Sequence, residues 1–267
     1  MPRTRPTIAD LRAIRGTRQL TMLRVLTLQE AEAAEKAGID IVSIPPDLML
    51  NREYRDAAPS LFSMPGDNFY EIGGPDDFLR WSFQMYRAGA DAVYCSAGFG
   101  TVKKMADEAI PVIGHVGLIP SRATWTGGFK AVGKTARSAM EIMEAVRRYE
   151  AAGAFGAEIE VVPVEVAEEI CKRTSLFLIS MGAGTGCDAQ YLFADDILGQ
   201  TQGKMPRHGK VYRDFNAEFA RLQDQRIAAF SEFKADVDSR AYPEDRHIVK
   251  MDPSELATFL SELDAAT

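Results

Sequence analysis

Two glutamates in one short apolar segment are candidates for proton transfer, for example for removing a proton next to a carbonyl group. Glu158 and Glu160 lie two residues apart in the segment 157–161, and alternation along a strand puts both on one face. A carboxylate removes such a proton only where a metal ion or oriented donors stabilise the developing enolate oxygen. Glu160, at the end of the segment, is therefore the candidate general base. Glu158 would enter the same pocket, either as a ligand of a metal or substrate or as a like charge that raises the pKa of Glu160. The alternative is that Glu158 is buried in an ion pair with a basic residue.

His115, Asp47 and Asp67 also follow short apolar segments. His115 is the one polar side chain of its segment, so it could donate to an oxygen of the substrate, although a histidine at a strand end is often only a structural donor. Asp47 and Asp67 carry the hard oxygen ligands that Mg²⁺ prefers, and they could share one ion with waters and substrate oxygens. Loop aspartates that bind nothing are the alternative.

The elements that would position these residues follow an alternating pattern. Short apolar segments are separated by longer segments of helical periodicity, as in strands joined by crossover helices around a parallel sheet. Gly38, Gly89 and Gly153 stand where three of these helices would end. We therefore predict one α/β domain over residues 1–267, a (β/α)8 barrel of the TIM type. At least seven strands are recognisable: Leu20–Leu23, Ile39–Ile44, Ser60–Met64, Ala92–Cys95, Pro111–His115, Ala157–Val161 and Leu176–Ser180.

In such a barrel the active site lies at the C-terminal ends of the strands, which adds Ser96 to the candidates. Only residues 51–59 join the second predicted strand to the third, so the helix between them should be shortened or missing. Segments 211–235 and 253–263 read as further helices. We expect the region 211–267 to pack outside the barrel or against a neighbouring chain, in a homo-oligomer.

Composition and charge exclude several classes of protein. The formal net charge is −7, so there is no broad positive field for a nucleic-acid backbone. No segment approaches the roughly 20 apolar residues of a membrane span, and no signal-peptide pattern precedes the first helix. The three cysteines are too scattered for a disulfide framework, which fits a reducing cytoplasm.

From Pro111 onward, several long motifs resemble ketopantoate hydroxymethyltransferases. They are "PVIGHVGLIPSRATWTGGFKAVGKT", "AGAFGAEIEVVPVEVAEEI" and "SMGAGTGCDAQYLFADDILG", with "YPEDRH" near the end. The resemblance implies a member of the phosphoenolpyruvate-mutase and isocitrate-lyase superfamily, acting on a small 2-oxo acid with a divalent metal, most simply Mg²⁺, and 5,10-methylenetetrahydrofolate. It implies that Glu160 is the base, that His115 lines the pocket, and that Lys130 holds a carboxylate unless it is merely solvated.

The sequence also departs from this family. The family's metal-binding "GDS" is replaced by Pro45–Leu48, and its "KLEGG" by the segment 94–98, so that Tyr94 stands for a substrate lysine and Ser96 for a metal-linked glutamate. These changes predict a different 2-oxo acid, or a different way of binding it. The alternatives are a folate-independent C–C lyase or aldolase of the same superfamily, and a barrel that binds a ligand without catalysis.

Overall fold

The computed structural model describes residues 3–66 and 72–266. The chain divides into two compact units, one ending at Arg213 and the other beginning at Asp214. The boundary lies close to residue 211, where the C-terminal helical segment was predicted to begin.

The first unit is built on eight parallel strands. They are β1 (Leu20–Arg24), β2 (Ile41–Ile44), β3 (Phe62–Pro65), β4 (Val93–Tyr94), β5 (Val112–Gly117), β6 (Gly156–Glu160), β7 (Phe177–Met181) and β8 (Ala189–Phe193). Their order in the sheet is β3-β2-β1-β8-β7-β6-β5-β4. A further bridge between Gly66 and Tyr94 joins the region after β3 to β4, so the sheet comes close to closing into a barrel. The predicted (β/α)8 architecture is therefore confirmed.

Helices surround this sheet, and their ends follow local capping chemistry. The helices of this unit are α1 (Ile8–Ile14), α2 (Leu28–Ala37), α3 (Pro46–Leu50), α4 (Tyr54–Ala57), α5 (Pro75–Arg87), α6 (Phe99–Asp107), α7 (Ala123–Thr126), α8 (Ala136–Ala151), α9 (Val164–Cys171) and α10 (Ala194–Leu198). Gly38 ends α2 in the left-handed conformation, with φ of 78°, as predicted. Thr135 begins α8 because its hydroxyl accepts a hydrogen bond from the backbone N–H of Ser138.

Two connections differ from the repeating pattern. Between β2 and β3 the two short helices α3 and α4 stand in place of one full helix, which matches the prediction of a shortened element. Between β7 and β8 residues 182–188 contain no helix at all. The eighth strand was not predicted, because it follows a glycine-rich segment and its outward residues are polar or only partly buried.

The barrel interior is filled at one end and open at the other. Apolar side chains from the beginnings and middles of the strands form one buried cluster, and Leu11 of α1 belongs to it. Because α1 packs at the N-terminal side of the strands, side chains near the C-terminal strand ends are left to line a cavity. Members of this cluster include Leu20, Met22, Ile41, Phe62, Ile113, Phe177 and Ile179.

The second unit consists of α11 (Phe215–Ser239) and α12 (Pro253–Ala265). α11 begins later than predicted because the side chain of Asp214 accepts a hydrogen bond from the N–H of Ala217 and so fixes the helix start. No helix in the described ranges is long and apolar enough to cross a membrane.

Candidate active site

A cavity of about 1360 Å³ opens at the C-terminal ends of the strands. Most strands contribute to its wall, as expected for a barrel of this type. The strand-end residues that line it are Arg24, Ser43, Tyr94, His115, Glu158, Glu160, Met181, Tyr191 and Phe193.

Glu160 is held in place by the backbone around it. It is the last residue of β6, and its carbonyl oxygen accepts a hydrogen bond of 2.9 Å from the N–H of Leu118. Gly117 makes this contact possible, because a Cβ at that position would lie 2.3 Å from the same oxygen. Val161, the next residue, has φ of 49°, which is strained for a β-branched side chain. Strain of this kind is commonly found at functional sites, where the surrounding structure holds it.

The two glutamates are connected through a tyrosine and a histidine. The hydroxyl of Tyr94 donates to Oε2 of Glu158 at 2.7 Å and lies 2.5 Å from Nδ1 of His115. The other ring nitrogen, Nε2, lies 3.0 Å from Oε2 of Glu160. When Glu158 is charged, the one proton of the tyrosine hydroxyl goes to it, and Nδ1 is then the protonated nitrogen of a neutral imidazole. Nε2 is then an acceptor that faces Glu160.

Burial shifts the pKa of all three ionisable groups toward their neutral forms. Desolvation lowers the pKa of His115, opposed by the negative charge of Glu158. Desolvation also raises the pKa of Glu158, and it raises the pKa of Glu160 from 4.5 to about 7. A carboxyl group with this pKa is suited to accept and return a proton near neutral pH.

Three buried polar side-chain atoms in the described part of the chain have no hydrogen-bond partner, and all three line this cavity. They are Nε2 of His115, Oγ of Ser121 and Oε1 of Gln200. The contact of Nε2 with Glu160 is short enough for a hydrogen bond but is not one, since neither group offers the other a proton when Glu160 is charged. Buried polar atoms are normally paired, so a concentration of unpaired ones marks a place where a ligand completes the site.

Most of the candidates from the sequence meet at this cavity. Glu158 and Glu160 do point to one face, as alternation predicted. Asp47 is the exception: it lies exposed in the first turn of α3 and is not part of the cavity wall. Asp67 falls outside the described residues. The other candidates in the wall are Tyr94, Ser96, His115 and Lys130, of which Lys130 is exposed at the mouth.

Arg24 was missed by the sequence analysis. It is the last residue of β1, and its guanidinium lines the cavity. The first predicted strand ended at Leu23, so Arg24 is the residue that directly follows it. The rule that selected the other candidates therefore applies to Arg24 as well.

The group formed by His115, Glu158 and Glu160 could hold a metal ion, because one ligand atom from each lies within 4.8 Å of the others. An imidazole nitrogen with two carboxylates suits Mn²⁺, Fe²⁺ or Zn²⁺ better than Mg²⁺, which prefers oxygen ligands. The described residues therefore fit Mg²⁺ poorly. Binding would require both carboxylates to be charged, and a bound cation would itself lower the pKa of each against the effect of burial.

A buried acid–base group at the C-terminal ends of the strands defines this protein as an enzyme of the (β/α)8-barrel class. A family model described as ketopantoate hydroxymethyltransferase matches residues 64–245, and the chain belongs to that family. This confirms the resemblance seen in the sequence.

Similar proteins agree with this assignment. A 3-methyl-2-oxobutanoate hydroxymethyltransferase of Cenarchaeum symbiosum is 36% identical over 182 residues, which are 67% of each chain. The enzyme of the same name from Nitratidesulfovibrio vulgaris is 29% identical over 97% of this chain and 90% of its own. Among solved structures, a 2,3-dimethylmalate lyase of the phosphoenolpyruvate-mutase and isocitrate-lyase superfamily matches with a TM-score of 0.52 and 17% identity, covering 97% and 98% of the two chains. That likeness shows the fold.

Proposed function

We propose that this chain transfers a hydroxymethyl group to C3 of a small 2-oxo acid, with 5,10-methylenetetrahydrofolate as the one-carbon donor. The observation that carries the proposal is the position of Glu160, a buried carboxylate at a strand end with a pKa of about 7. Membership of the ketopantoate hydroxymethyltransferase family supports the same chemistry.

The first step uses residues of the chain. Glu160 accepts the proton from C3 of the 2-oxo acid, and the electron pair moves onto the carbonyl oxygen as an enolate. Nε2 of His115 is the unprotonated nitrogen 3.0 Å away, so the proton on Glu160 can be shared with it. The enolate carbon then bonds to the methylene carbon of the folate as one of its two carbon–nitrogen bonds breaks. Water supplies the hydroxyl group as the second carbon–nitrogen bond breaks. Tetrahydrofolate leaves with a proton on each of these two nitrogens, one from C3 by way of Glu160 and one from the water.

The size and lining of the cavity support a second, larger substrate. At about 1360 Å³ the cavity exceeds the roughly 300–1,000 Å³ of ordinary small-molecule sites, and a small 2-oxo acid would fill only a part of it. Basic residues lie at the mouth, where they would face the anionic glutamate tail of a folate. They are Lys130, Lys134, Lys204 and Arg207.

The proposal also includes a divalent metal ion, and whether the protein binds one is tested separately. If bound, it would be held by His115, Glu158 and Glu160, and it would supply positive charge for the enolate oxygen. Glu160 cannot act as base while it is a ligand, so metal content measured after purification, and activity after chelation, distinguish the two roles.

We further propose that the enzyme works in the cytoplasm as a homo-oligomer.

The exposed apolar surface of the second unit supports association. α11 carries apolar side chains along one side of the helix, in two groups whose members are three or four residues apart. Leu222 and Phe230, the neighbouring ends of the two groups, are eight residues apart, with Arg226 between them. The apolar side chains are between 36% and 72% exposed. Groups of large exposed apolar side chains are typical of protein interfaces. The residues are Phe215, Phe219, Leu222, Phe230, Phe233 and Val237.

The function is tested by following 3-methyl-2-oxobutanoate by NMR in deuterated buffer, with and without methylenetetrahydrofolate. We expect deuterium at C3 in both cases and the hydroxymethylated product only with the folate. Exchange without transfer would favour the folate-independent lyase or aldolase. The absence of both would overturn the proposal.

A further inference from the structure

One cationic side chain lies among the acid–base residues. Of the lining residues that the structure describes, Arg24 is the only cation that comes from a barrel strand and is half-buried, whereas the lysines and Arg207 are exposed on loops. Arg24 lines the same cavity as Glu158 and Glu160. Its positive charge acts to lower the pKa of Glu158, against the larger effect of burial, which raises that pKa.

Among the residues that the structure describes, one side-chain hydrogen bond uses only a small part of the donor capacity of Arg24. In the described ranges its guanidinium donates from NH1 to Oγ of Ser43 at 2.9 Å, and it forms no ion pair with a carboxylate. A guanidinium has five N–H donors in a planar fork that matches a carboxylate with two parallel hydrogen bonds.

The backbone around Arg24 leaves room for it. A Cβ at position 66 would lie 2.9 Å from NH1 of Arg24, so the absence of a side chain at Gly66 is what allows the guanidinium to occupy this place. The atom in conflict is the far end of a flexible side chain. Gly66→Ala should therefore displace the guanidinium without disturbing the barrel.

The charge balance of the site calls for such a cation. A 2-oxo acid is an anion, and it must enter a cavity whose inner wall holds two glutamates; once Glu160 is ready to act as base, it repels the substrate. Removing a proton adds a further negative charge as the enolate forms. A fixed cation in this wall offsets both effects.

We infer that Arg24 binds the carboxylate of the 2-oxo acid and so places the substrate against Glu160, in a manner that needs no metal ion. The inference rests on the proposed function only for the identity of the ligand as a 2-oxo acid. It makes Arg24 the residue that distinguishes a 2-oxo acid from its uncharged analogues.

The test is calorimetric binding of 3-methyl-2-oxobutanoate and of its uncharged amide to the full chain, in chelator and again with Mg²⁺. Three variants are compared with the wild type: Arg24→Gln, which removes the charge; Arg24→Lys, which keeps it but loses the fork; and Gly66→Ala, which keeps Arg24 but moves it. Arg137→Gln, on the exposed surface of α8 and outside the cavity wall, is the matched control.

We expect the acid to bind wild-type protein in chelator, and Arg24→Gln to weaken that binding by about 10- to 100-fold, the range for loss of a charged hydrogen-bond partner. Arg24→Lys and Gly66→Ala should weaken binding of the acid by less. Binding of the amide should be the same in all variants, and Arg137→Gln should bind the acid as the wild type does. Equal binding of the acid to the wild type, Arg24→Gln and Gly66→Ala would overturn the inference, as would binding that requires Mg²⁺ and ignores Arg24. If the acid binds in a way that depends on Arg24 but the protein does not transfer the hydroxymethyl group, the proposed function is wrong and this inference is still supported.

Discussion

The hydroxyl of Tyr94 lies 2.5 Å from Nδ1 of His115 and donates a hydrogen bond of 2.7 Å to Oε2 of Glu158. When Glu158 is charged, this hydroxyl can only accept from the histidine, and Nε2 is left as the acceptor that faces Glu160. We propose that Tyr94 positions the imidazole of His115 in this way.

Replacing Tyr94 by Phe should lower the rate of C3 proton exchange by about 10- to 100-fold, because Nδ1 of His115 and Oε2 of Glu158 both lose a partner inside the protein. The imidazole would then be free to change its tautomer, so the pH profile of exchange should change as well as its size. Tyr86→Phe, on the exposed side of α5, is the control. If Tyr94→Phe lowers thermal stability but leaves rate and pH profile unchanged, the tyrosine has only a structural role.

Replacing Glu160 by Gln should reduce C3 exchange by about 10²- to 10⁴-fold while preserving the fold, because the amide keeps the volume but cannot accept the proton. Exchange is measured by NMR, and folding by circular dichroism. Glu165→Gln, in the exposed first turn of α9, should behave like wild type. An exchange rate close to that of the wild type would remove Glu160 from the role of base.

The pKa of Glu160 also predicts two pH dependences with opposite signs. The rate constant kcat/KM for exchange should rise with pH through about 7 and then level off, because the base acts when deprotonated. The free energy of unfolding should fall with pH. Folding raises the pKa of Glu160, so this carboxyl contributes its full stabilisation below its ordinary pKa of 4.5. The contribution is lost as pH rises through about 7.

Glu160→Gln tests the stability effect directly. The variant should match wild type near pH 4 and exceed it by about 3 kcal/mol above pH 8, since it has no charge to bury. Denaturant unfolding at the two pH values measures this difference. A difference that does not depend on pH would show that Glu160 is not desolvated in solution.

The sequence was sufficient to predict the barrel and the common placement of Glu158 and Glu160 in one cavity wall. Alternation along one strand placed Glu158 and Glu160 together, and the strand-end rule found His115, because both depend only on local periodicity and on the fold class. Two features were beyond such reasoning. The eighth strand has neither a continuous apolar run nor a preceding helix, and the partners of Tyr94 lie 21 and 64 residues away in the chain.

Asp47 shows the limit of the strand-end rule. It follows β2, yet Pro46 begins a short helix there, and the aspartate in its first turn is exposed to solvent. Proline is favoured at the first position of a helix, so Pro45–Pro46 was a signal for this turn that could have been read from the sequence. Asp47 therefore does not bring a metal ion into the cavity wall, and the positive charge seen in that wall is the guanidinium of Arg24.

The apolar side of α11 predicts an oligomer that a single charge should weaken. Phe230 is 72% exposed, and Phe230→Glu would place a charge within an apolar interface. We expect light scattering at micromolar concentration to show a multimer for the wild type and a smaller species for the variant. Ala228→Glu, about opposite on the helix, is the control. A wild-type monomer would refute the proposed assembly, and equal masses for all three would exclude this side of α11 as the interface.

Gly117 should be indispensable for the position of Glu160. Its φ is 88°, and a Cβ would lie 2.3 Å from the Glu160 carbonyl oxygen, a backbone atom that cannot move without displacing the end of β6. Gly117→Ala should therefore reduce stability by about 2 kcal/mol or more and lower C3 exchange in the fraction that remains folded. The comparison is Gly100→Ala in α6, where a Cβ meets nothing within 4 Å and alanine favours the helix. If Gly117→Ala unfolds at the same denaturant concentration as wild type and exchanges C3 at the same rate, the contact between β5 and β6 does not fix the base.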